Sequence, residues 1–208
     1  MFYATNEHHG LRHNPFNALI VPRPIGWISS QDAAGRVNLA PYSFFNGVAY
    51  HPPQVMFSAT GPHSQGGDKD SLANIRETGE FVVNLATWEL REQMNLTAAP
   101  APRGTDEFEV AGLTKAPARL VAPPRVAESP VHLECKLVEQ VELLSDETGD
   151  RNIVTFGHVV GIHIDERIIK DGVIDIHAMN PISRLGGKDY ARVTEVFAMT
   201  RPSWPVEG

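Results

Sequence analysis

The residues best suited to bind a ligand lie between Pro22 and Asn46, in the run PRPIGWISSQDAAGRVNLAPYSFFN. The end of this run combines Ser43, two phenylalanines and Asn46. Hydroxyl, aromatic and amide groups are what a flat aromatic ligand with a polar rim requires. By residue type alone, however, Phe44 and Phe45 are better explained as core residues, because most buried aromatic side chains bind no ligand.

A second candidate site follows the glycine-rich loop 61–70, GPHSQGGDKD. A short helix is predicted at Ser71–Thr78, and Lys69 stands just before it. Free backbone amides and a serine hydroxyl at a helix N-terminus, next to a lysine, attract a phosphate. Asp70 would repel a phosphate, so we assign it a capping role. By this pattern alone, a capped helix with a solvated lysine remains the simpler interpretation.

Two further residues are weaker candidates. Ser58 lies near the end of the predicted strand Gln54–Thr60 and could contact a phosphate or a ribityl chain. Arg23 lies between two prolines that keep its backbone extended. Its guanidinium could pair either with a ligand phosphate or with a surface carboxylate.

Other reactive residue types give no site of their own. Three histidines occur within residues 1–15, but no cysteine or carboxylate cluster completes a metal site there. His158 and His163 lie in a predicted strand and have no nucleophile motif nearby. Cys135 alternates with apolar residues, which predicts a buried thiol, and a single cysteine excludes an intramolecular disulfide.

The composition is that of a globular protein. The 208 residues are 42% hydrophobic and 21% charged. A net charge of −7 without a basic run argues against nucleic-acid binding. No apolar stretch approaches the ~20 residues of a membrane span, and the N-terminus lacks a signal-peptide layout. We therefore expect a cytoplasmic location and no membrane partner.

Periodicity predicts a chain dominated by strands. The predicted strands are Ala18–Val21, Ile25–Ile28, Leu39–Phe45, Gln54–Thr60, Glu80–Leu85, Val131–Leu144 and Ile153–Asp165, with a hairpin turn at 145–152. The predicted helices are Ser71–Thr78, one capped by Thr87 that reaches about Asn95, and Thr105–Ala111. The proline-rich segment 113–130 is predicted to be an irregular excursion packed on the domain or on a partner subunit.

Several segments together carry a family resemblance. In chain order they are Pro22–Ser29, Asn38–Asn46, Pro52-Pro53, Lys69–Ser71, Thr78–Asn84, Asp106–Phe108, Glu128–Pro130, Leu133–Cys135 and Met179–Tyr190. The ordered set covers nearly the whole chain. It resembles the flavin reductase-like family, whose fold is the FMN-binding split barrel.

The resemblance implies the fold and the ligands. The fold is mainly β with peripheral helices, an FMN-binding split β-barrel in one domain, residues 1–208. The N-terminal arm is 1–17, and the C-terminal extension 194–208 is predicted to pack on the domain. The cofactor is FMN, with FAD or riboflavin as alternatives, and NAD(P)H is a transient donor. Because the chain has no Gly-x-Gly-x-x-Gly segment, NAD(P)H would bind without a Rossmann fold.

The resemblance also implies site residues and partners. Ring and ribityl contacts are assigned to Trp27, Ser29, Ser43, Phe45 and Asn46, with Tyr190 as a neighbour of the ring. Phosphate contacts are assigned to Ser58, Lys69, Ser71 and Arg184, although Arg184 is equally explained by a salt bridge. No side chain is assigned a catalytic role, because the flavin itself accepts the hydride. A homodimer with flavin near the interface is implied, together with a monooxygenase or electron-transfer partner.

Three functions stay open from the sequence. The first is an NAD(P)H-dependent flavin reductase. The second is an FMN-containing electron carrier of flavoredoxin type, reduced by a protein partner. The third is a flavin-binding protein without turnover. No residue pattern specifies a nicotinamide pocket, so the sequence does not separate them.

Overall fold

The computed structural model of the chain describes residues 1–145 and 149–204. The helices are α1 (Phe16–Leu19), α2 (Asp70–Thr78), α3 (Arg91–Leu96), α4 (Glu107–Ala111) and α5 (Ile176–Met179), with a 3₁₀ turn at Glu166–Ile168. The strands are β1 (Arg23–Pro24), β2 (Gly26–Gln31), β3 (Val37–Tyr42), β4 (Phe45–Tyr50), β5 (Pro53–Thr60), β6 (Glu80–Leu85), β7 (Lys115–Ala116), β8 (Arg125–Val126), β9 (Val131–Glu142), β10 (Asn152–Ile164), β11 (Ile169–Lys170), β12 (Val173–Ile174), β13 (Ile182–Arg184) and β14 (Tyr190–Arg192). The predicted mainly β architecture with peripheral helices is confirmed.

Seven strands form one antiparallel sheet in the order β3-β2-β6-β9-β10-β5-β4. Strands β2 and β3 form a hairpin near the start of the chain, in which Gly26 pairs with Tyr42 and Gln31 with Val37. A second sheet, β1-β13-β14, joins the N-terminal part of the chain to its C-terminal part. No helix among the described residues is long and apolar enough to span a membrane.

Two hydrophobic clusters pack on the sheet. Successive residues of a strand point to opposite faces, so Trp27 and Ile28 on β2 enter different clusters, and both are fully buried. The Ile28 cluster includes Phe57, Phe81 and Ile75 of α2, while the Trp27 cluster includes Phe108 of α4. Burial of each such side chain contributes about 2 kcal/mol to stability. Because its two neighbouring residues enter different clusters, strand β2 connects both.

Bulges change which residues share a face. In the β9–β10 pairing the register shifts between Val159 and Gly161. By strict alternation, the even-numbered residues from Val154 to Ile164 would all share one face of this strand. The shift ends that alternation, so only Val154, Phe156 and His158 share the half-buried outer face before the bulge.

The absence of a side chain at Gly157 is required by packing. A Cβ atom there would lie 2.3 Å from Cζ of Phe81 and 3.3 Å from Cβ of Cys135. Phe81 is fully buried and packs edge to face on Phe57, with ring centroids 5.8 Å apart. The glycine therefore makes room for the central aromatic pair of this core.

Gly157→Ala is expected to lower the free energy of unfolding by about 2 kcal/mol, because an overpacked core forces neighbouring atoms to move. Gly47→Ala in β4 is the matched control, since a Cβ there meets nothing within 4 Å. Urea denaturation of the two variants measures the difference. Equal stabilities would show that the core accommodates the extra methyl group.

A buried polar cluster fixes the excursion 113–130 to the sheet. Glu134, fully buried on β9, accepts hydrogen bonds from the amides of Arg119 (2.8 Å) and Leu120 (2.6 Å) and from Nε2 of His163. Burial opposes ionisation of Glu134, but these hydrogen bonds outweigh it and lower the carboxyl pKa. Burial lowers the pKa of neighbouring His132 to about 4. His163 is thus a structural partner of Glu134.

Two local predictions at the start of helices and strands are wrong. Residues 16–19 form helix α1, where a strand was expected at Ala18–Val21. The guanidinium of Arg23 takes the carbonyls of Asn17 and Ile20, which a neighbouring strand would otherwise use. Thr87 caps no helix, because α3 begins at Arg91 without a side-chain cap.

Three other predictions concern loops, the thiol and the tail. Cys135 is fully buried, and burial raises its thiol pKa, as expected for a core residue. Phe197 and Trp204 are 77% and 89% exposed, so these side chains of the described part of the tail do not pack on their own chain, contrary to the prediction. The hairpin turn at 145–152 and the extension 194–208 lie partly outside the described residues.

Candidate functional site

Two adjoining cavities of about 250 and 190 Å³ form one elongated groove, since Pro41 and Ala98 line both. The smaller cavity contains Lys69 and is called the lysine end. The larger contains Arg184 and Tyr190 and is called the arginine end. Small-molecule sites occupy roughly 300 to 1,000 Å³. Each cavity alone is smaller than that, whereas the two together are large enough for a ligand that extends from one into the other.

At the lysine end, Lys69 is the cation. Its side chain is half-buried, burial lowers its pKa, and no carboxylate of the described chain forms an ion pair with it. His63 and Ser64 line the same cavity. The phenol of Tyr42 also lines it, and burial raises its pKa to about 12, so Tyr42 stays neutral near pH 7. This end offers the positive charge of Lys69 and several hydrogen-bond donors, and the carboxyl groups of Asp70 and Glu107 line it as well.

The first turn of α2 supplies further donors. Lys69 is the N-cap position, and no side chain caps the helix. The predicted capping role of Asp70 is therefore wrong. Asp70 instead pairs with Arg103, which offsets the repulsion that its carboxylate would exert on an anion. The Ser71 hydroxyl is fully buried and accepts from Nδ2 of Asn38 at 2.8 Å, so only the backbone of Ser71 remains for a ligand.

Arg103 orders the glycine-rich loop 61–70. Its guanidinium donates to the carbonyls of Gly66 (2.6 Å) and Asp68 (2.8 Å), and its amide donates to Oε1 of Gln65 (2.9 Å). The sequence indicated only a polar, glycine-rich loop here. One arginine from a distant segment gives it a defined conformation and brings Lys69 to the groove.

Arg23 builds the arginine end. The sequence offered a phosphate or a surface carboxylate as its partner, but its guanidinium donates to three carbonyls, those of Asn17, Ile20 (2.7 Å) and Leu185 (2.9 Å). Burial and the nearby charge of Arg184 lower its pKa. Arg23 lines the groove together with Ser43. It therefore acts as a scaffold cation that holds two distant segments beside the groove.

Arg184 and Tyr190 face each other across the β13–β14 turn. The guanidinium lies 4.5 Å from the centre of the tyrosine ring and donates to its hydroxyl and to the Gly187 carbonyl. Within residues 1–145 and 149–204 no carboxylate forms an ion pair with Arg184, so the alternative of a salt bridge finds no support there. The turn packs closely on α1, because a Cβ at Gly186 would lie 2.5 Å from Cβ of Ala18. The packing of the turn on α1 thus holds Arg184 and Tyr190 at the arginine end of the groove.

Two predicted ring contacts are corrected by their burial. Trp27 and Ser29 are fully buried on β2. Trp27 donates from Nε1 to Oγ1 of Thr97 at 2.9 Å, and Ser29 donates to the Pro124 carbonyl at 2.6 Å. Neither side chain lines the groove. Trp27 nevertheless affects the groove indirectly, because its hydrogen-bond partner Thr97 lines the lysine end together with Ala98.

Three further predicted contacts lie elsewhere. Phe45 packs over Gly26, where a Cβ would approach its ring to 2.6 Å. Asn46 is exposed, and its side-chain oxygen accepts from the Gly47 amide. Ser58 lies on β5 opposite Val154, on the half-buried outer face of the sheet. Of the ten predicted residues, the described structure therefore brings Ser43, Lys69, Arg184 and Tyr190 to the groove.

Sequence reasoning missed the wall formed by residues 97–101 and the loop anchor Arg103. The run Thr97–Ala101 contains almost no functional groups, so no motif marks it as part of a site. Arg103 lies more than thirty residues from the loop that it orders. A polar glycine-rich loop, which needs an anchor to become ordered, was the available signal.

The chemistry of the groove fits a phosphorylated flavin. The lysine end provides a cation and uncapped helix amides for a phosphate. Between the two ends the wall is apolar, with Pro41 and Ala98, as a flat ring system requires. The arginine end provides an aromatic ring, a hydroxyl and a cation.

Comparison with known proteins agrees with this fit. A family model for the flavin reductase like domain matches residues 18–177. An uncharacterized protein of Halalkalibacterium halodurans is 37% identical over 185 residues, 88% of this chain and 88% of that protein.

Solved structures share the fold over nearly all of the chain. Nitrilotriacetate monooxygenase component B from Bacillus cereus is 32% identical, with a TM-score of 0.85 over 96% of this chain and 99% of that chain. Flavoredoxin of Desulfovibrio vulgaris (Miyazaki F) is 20% identical, with a TM-score of 0.75 over 96% and 97% of the two chains, and shows the fold alone. The predicted split-barrel fold is confirmed.

Lys69→Ala is expected to raise the Kd for FMN about tenfold, because a charge-assisted hydrogen bond to a phosphate contributes about 1 to 2 kcal/mol. The Kd for riboflavin, which has no phosphate, is expected to stay unchanged. Fluorescence titration of both flavins measures the effect. Lys170→Ala, at an exposed lysine of β11, is the matched control. An equal loss for both flavins, or no loss for FMN, would remove Lys69 from the phosphate site.

Proposed function

Because the chain belongs to the flavin reductase-like family, we propose that it uses NAD(P)H to reduce FMN held in the groove. The family and its structural neighbours support a flavin-related oxidoreductase. The nicotinamide donor, the exact ligand contacts and the direction of electron flow are our proposal. A bound flavin supplies the chemistry itself, since its N5 accepts a hydride from the donor.

The observation that carries this proposal is the difference between the two ends of the groove. One end combines a half-buried lysine with the uncapped start of α2, and the other opens past Tyr190 beside two arginines. A phosphate at Lys69 directs the ring system toward Ser43 and Tyr190. The ring would then lie at the open end, where a second molecule can reach it.

The chain's own groups would bind and orient the ligands. Lys69 and the amides of the first turn of α2 hold the phosphate. Pro41 and Ala98 exclude water from the ring faces. Burial raises the pKa of the Glu107 carboxyl at the lysine end, where its Oε2 accepts from the Leu39 amide at 2.9 Å. It therefore serves the scaffold, and hydride transfer needs no protein nucleophile.

One use for reduced FMN is favoured by a relative. The Bacillus cereus neighbour is a component of nitrilotriacetate monooxygenase. We infer that this chain likewise supplies reduced flavin to a monooxygenase component. The flavoredoxin neighbour shares the fold at 20% identity, which does not favour an electron-carrier role.

The purified protein is expected to bind FMN and to show loss of the flavin absorbance near 450 nm within seconds of anaerobic NADH or NADPH addition. Free FMN with the same nucleotide, without protein, is the control. Persistence of the band with both nucleotides, but bleaching by a reduced protein carrier, would overturn the reductase proposal in favour of the electron carrier. Failure to bind FMN at all would overturn both functions.

A homodimer is the proposed assembly. Val154, Phe156 and His158 of β10, together with Met56 of β5, present a half-buried and largely apolar face on the outer side of the sheet. The exposed tail residues Phe197 and Trp204 add further apolar surface. Association of two copies would cover these groups.

Phe156→Glu is expected to convert the dimer to a monomer, because a charge would be buried in an apolar interface. Multi-angle light scattering coupled to size exclusion measures the mass, and the melting temperature reports folding. Val173→Glu, at a 67% exposed position on β12, is the control and is expected to stay dimeric. A monomeric wild-type chain would contradict the proposed assembly.

A further inference from the structure

A third cavity, of about 510 Å³, continues the groove beyond its arginine end. It shares Met94, Arg184 and Tyr190 with the groove, and so begins where the groove opens. The rest of its wall is built by α3 and by the β13–β14 hairpin. A molecule that reaches a ligand in the groove from this side must pass through this cavity.

The cavity is cationic in a chain that is acidic. Its walls contain Arg91, Arg184, Lys188 and Arg192 against one carboxylate, Glu92. The net charge of the whole chain is −7, so this concentration of positive charge is local. Glu92 lies 3.4 Å from Arg91 and is therefore already matched by one of the cations.

Two of the remaining cations can meet an anion, although the nearby Glu89 carboxylate partly offsets the charge of Arg192. Lys188 and Arg192 are exposed, and the described residues give neither an ion-pair partner within 4 Å. Arg192 donates from Nε to Oδ1 of Asn180 at 2.7 Å, and Asn180 in turn donates to Glu89. These contacts fix the guanidinium while leaving its terminal nitrogens for a ligand, the arrangement that favours bidentate phosphate binding.

An aromatic ring stands between two of these arginines. The guanidinium of Arg91 lies 4.1 Å from the Trp88 ring and that of Arg192 lies 5.3 Å from it. Trp88 is 40% exposed. Flat, weakly hydrated guanidinium groups held on an indole ring form a surface that accepts both a phosphate and the face of a purine.

We propose that this cavity binds the phosphorylated adenosine half of the nicotinamide donor and favours the donor with a 2′-phosphate, NADPH. The inference rests on the proposed function, in which the nicotinamide meets a flavin ring at the arginine end. The adenosine half must then extend away from the lysine end, into this cavity. Lys188 and Arg192 together match a phosphate monoester, which carries about two negative charges at neutral pH.

The test compares 2′,5′-ADP with 5′-AMP by isothermal titration calorimetry on the FMN-loaded protein. Both lack the nicotinamide, so binding is measured without turnover. We expect 2′,5′-ADP to bind at least about tenfold more tightly, which is about 1.4 kcal/mol. In Lys188→Ala/Arg192→Ala this preference is expected to disappear, and KM for NADPH is expected to rise about tenfold with little change in kcat.

The matched control is Arg36→Ala/Lys170→Ala, which also removes two exposed cations, both outside the cavity. It is expected to keep the wild-type preference and KM. Arg192→Lys keeps the charge but not the planar fork, and is expected to recover only part of the affinity. Circular dichroism of each variant confirms folding.

Two failures are distinguishable. Rapid flavin reduction with equal affinity for both adenosine phosphates, unchanged in the double variant, would overturn the site and leave the reductase function standing. Preferential binding of 2′,5′-ADP without flavin reduction by either nucleotide would support the cavity as a site for phosphorylated adenosine and overturn the reductase function.

Discussion

The hydrogen bonds of Arg23 are the interaction on which the candidate site depends. A buried guanidinium must find acceptors, because an unpaired buried charge is costly. Arg23 finds them in the carbonyls of two segments about 160 residues apart in the chain, α1 and the turn after β13. Since β1 also pairs with β13, both backbone and side chain hold the arginine end in place. Without that closure Arg184 and Tyr190 would stand on a loose loop.

The lysine end follows the same principle with a different arginine. Arg103 satisfies the carbonyls of the loop before α2 and neutralises Asp70. Each end of the groove is thus held by an arginine whose hydrogen bonds go to the backbone of the chain and not to a ligand. The cations that remain beside the groove, Lys69 at one end and Arg184 at the other, are then placed for a ligand.

Strand patterns were enough to predict much of the sheet, because β9 and β10 are long and alternate, and β6 is a short, continuously buried apolar run. They were not enough for the bulge at Val159–Gly161, since a bulge depends on the partner strand and not on local residue types. For the site, the residue types were informative at Lys69, which stands between the loop and α2 and has no ion-pair partner among the described residues. They misled at Trp27 and Ser29, because hydroxyls and indoles satisfied inside a core look the same in sequence as those that bind ligands.

The cluster around Glu134 makes the stability of the fold decrease at acidic pH. His132, packed against Arg125, His163 and Glu134, stays neutral in the folded state, because burial holds its pKa at about 4. In the unfolded chain it takes up a proton near pH 6.5, so acidification from pH 6.5 toward 4 favours unfolding. Below that range, protonation of Glu134, whose pKa is also lowered, releases the amides of Arg119 and Leu120. Acidification therefore weakens the attachment of the excursion 113–130 to the sheet.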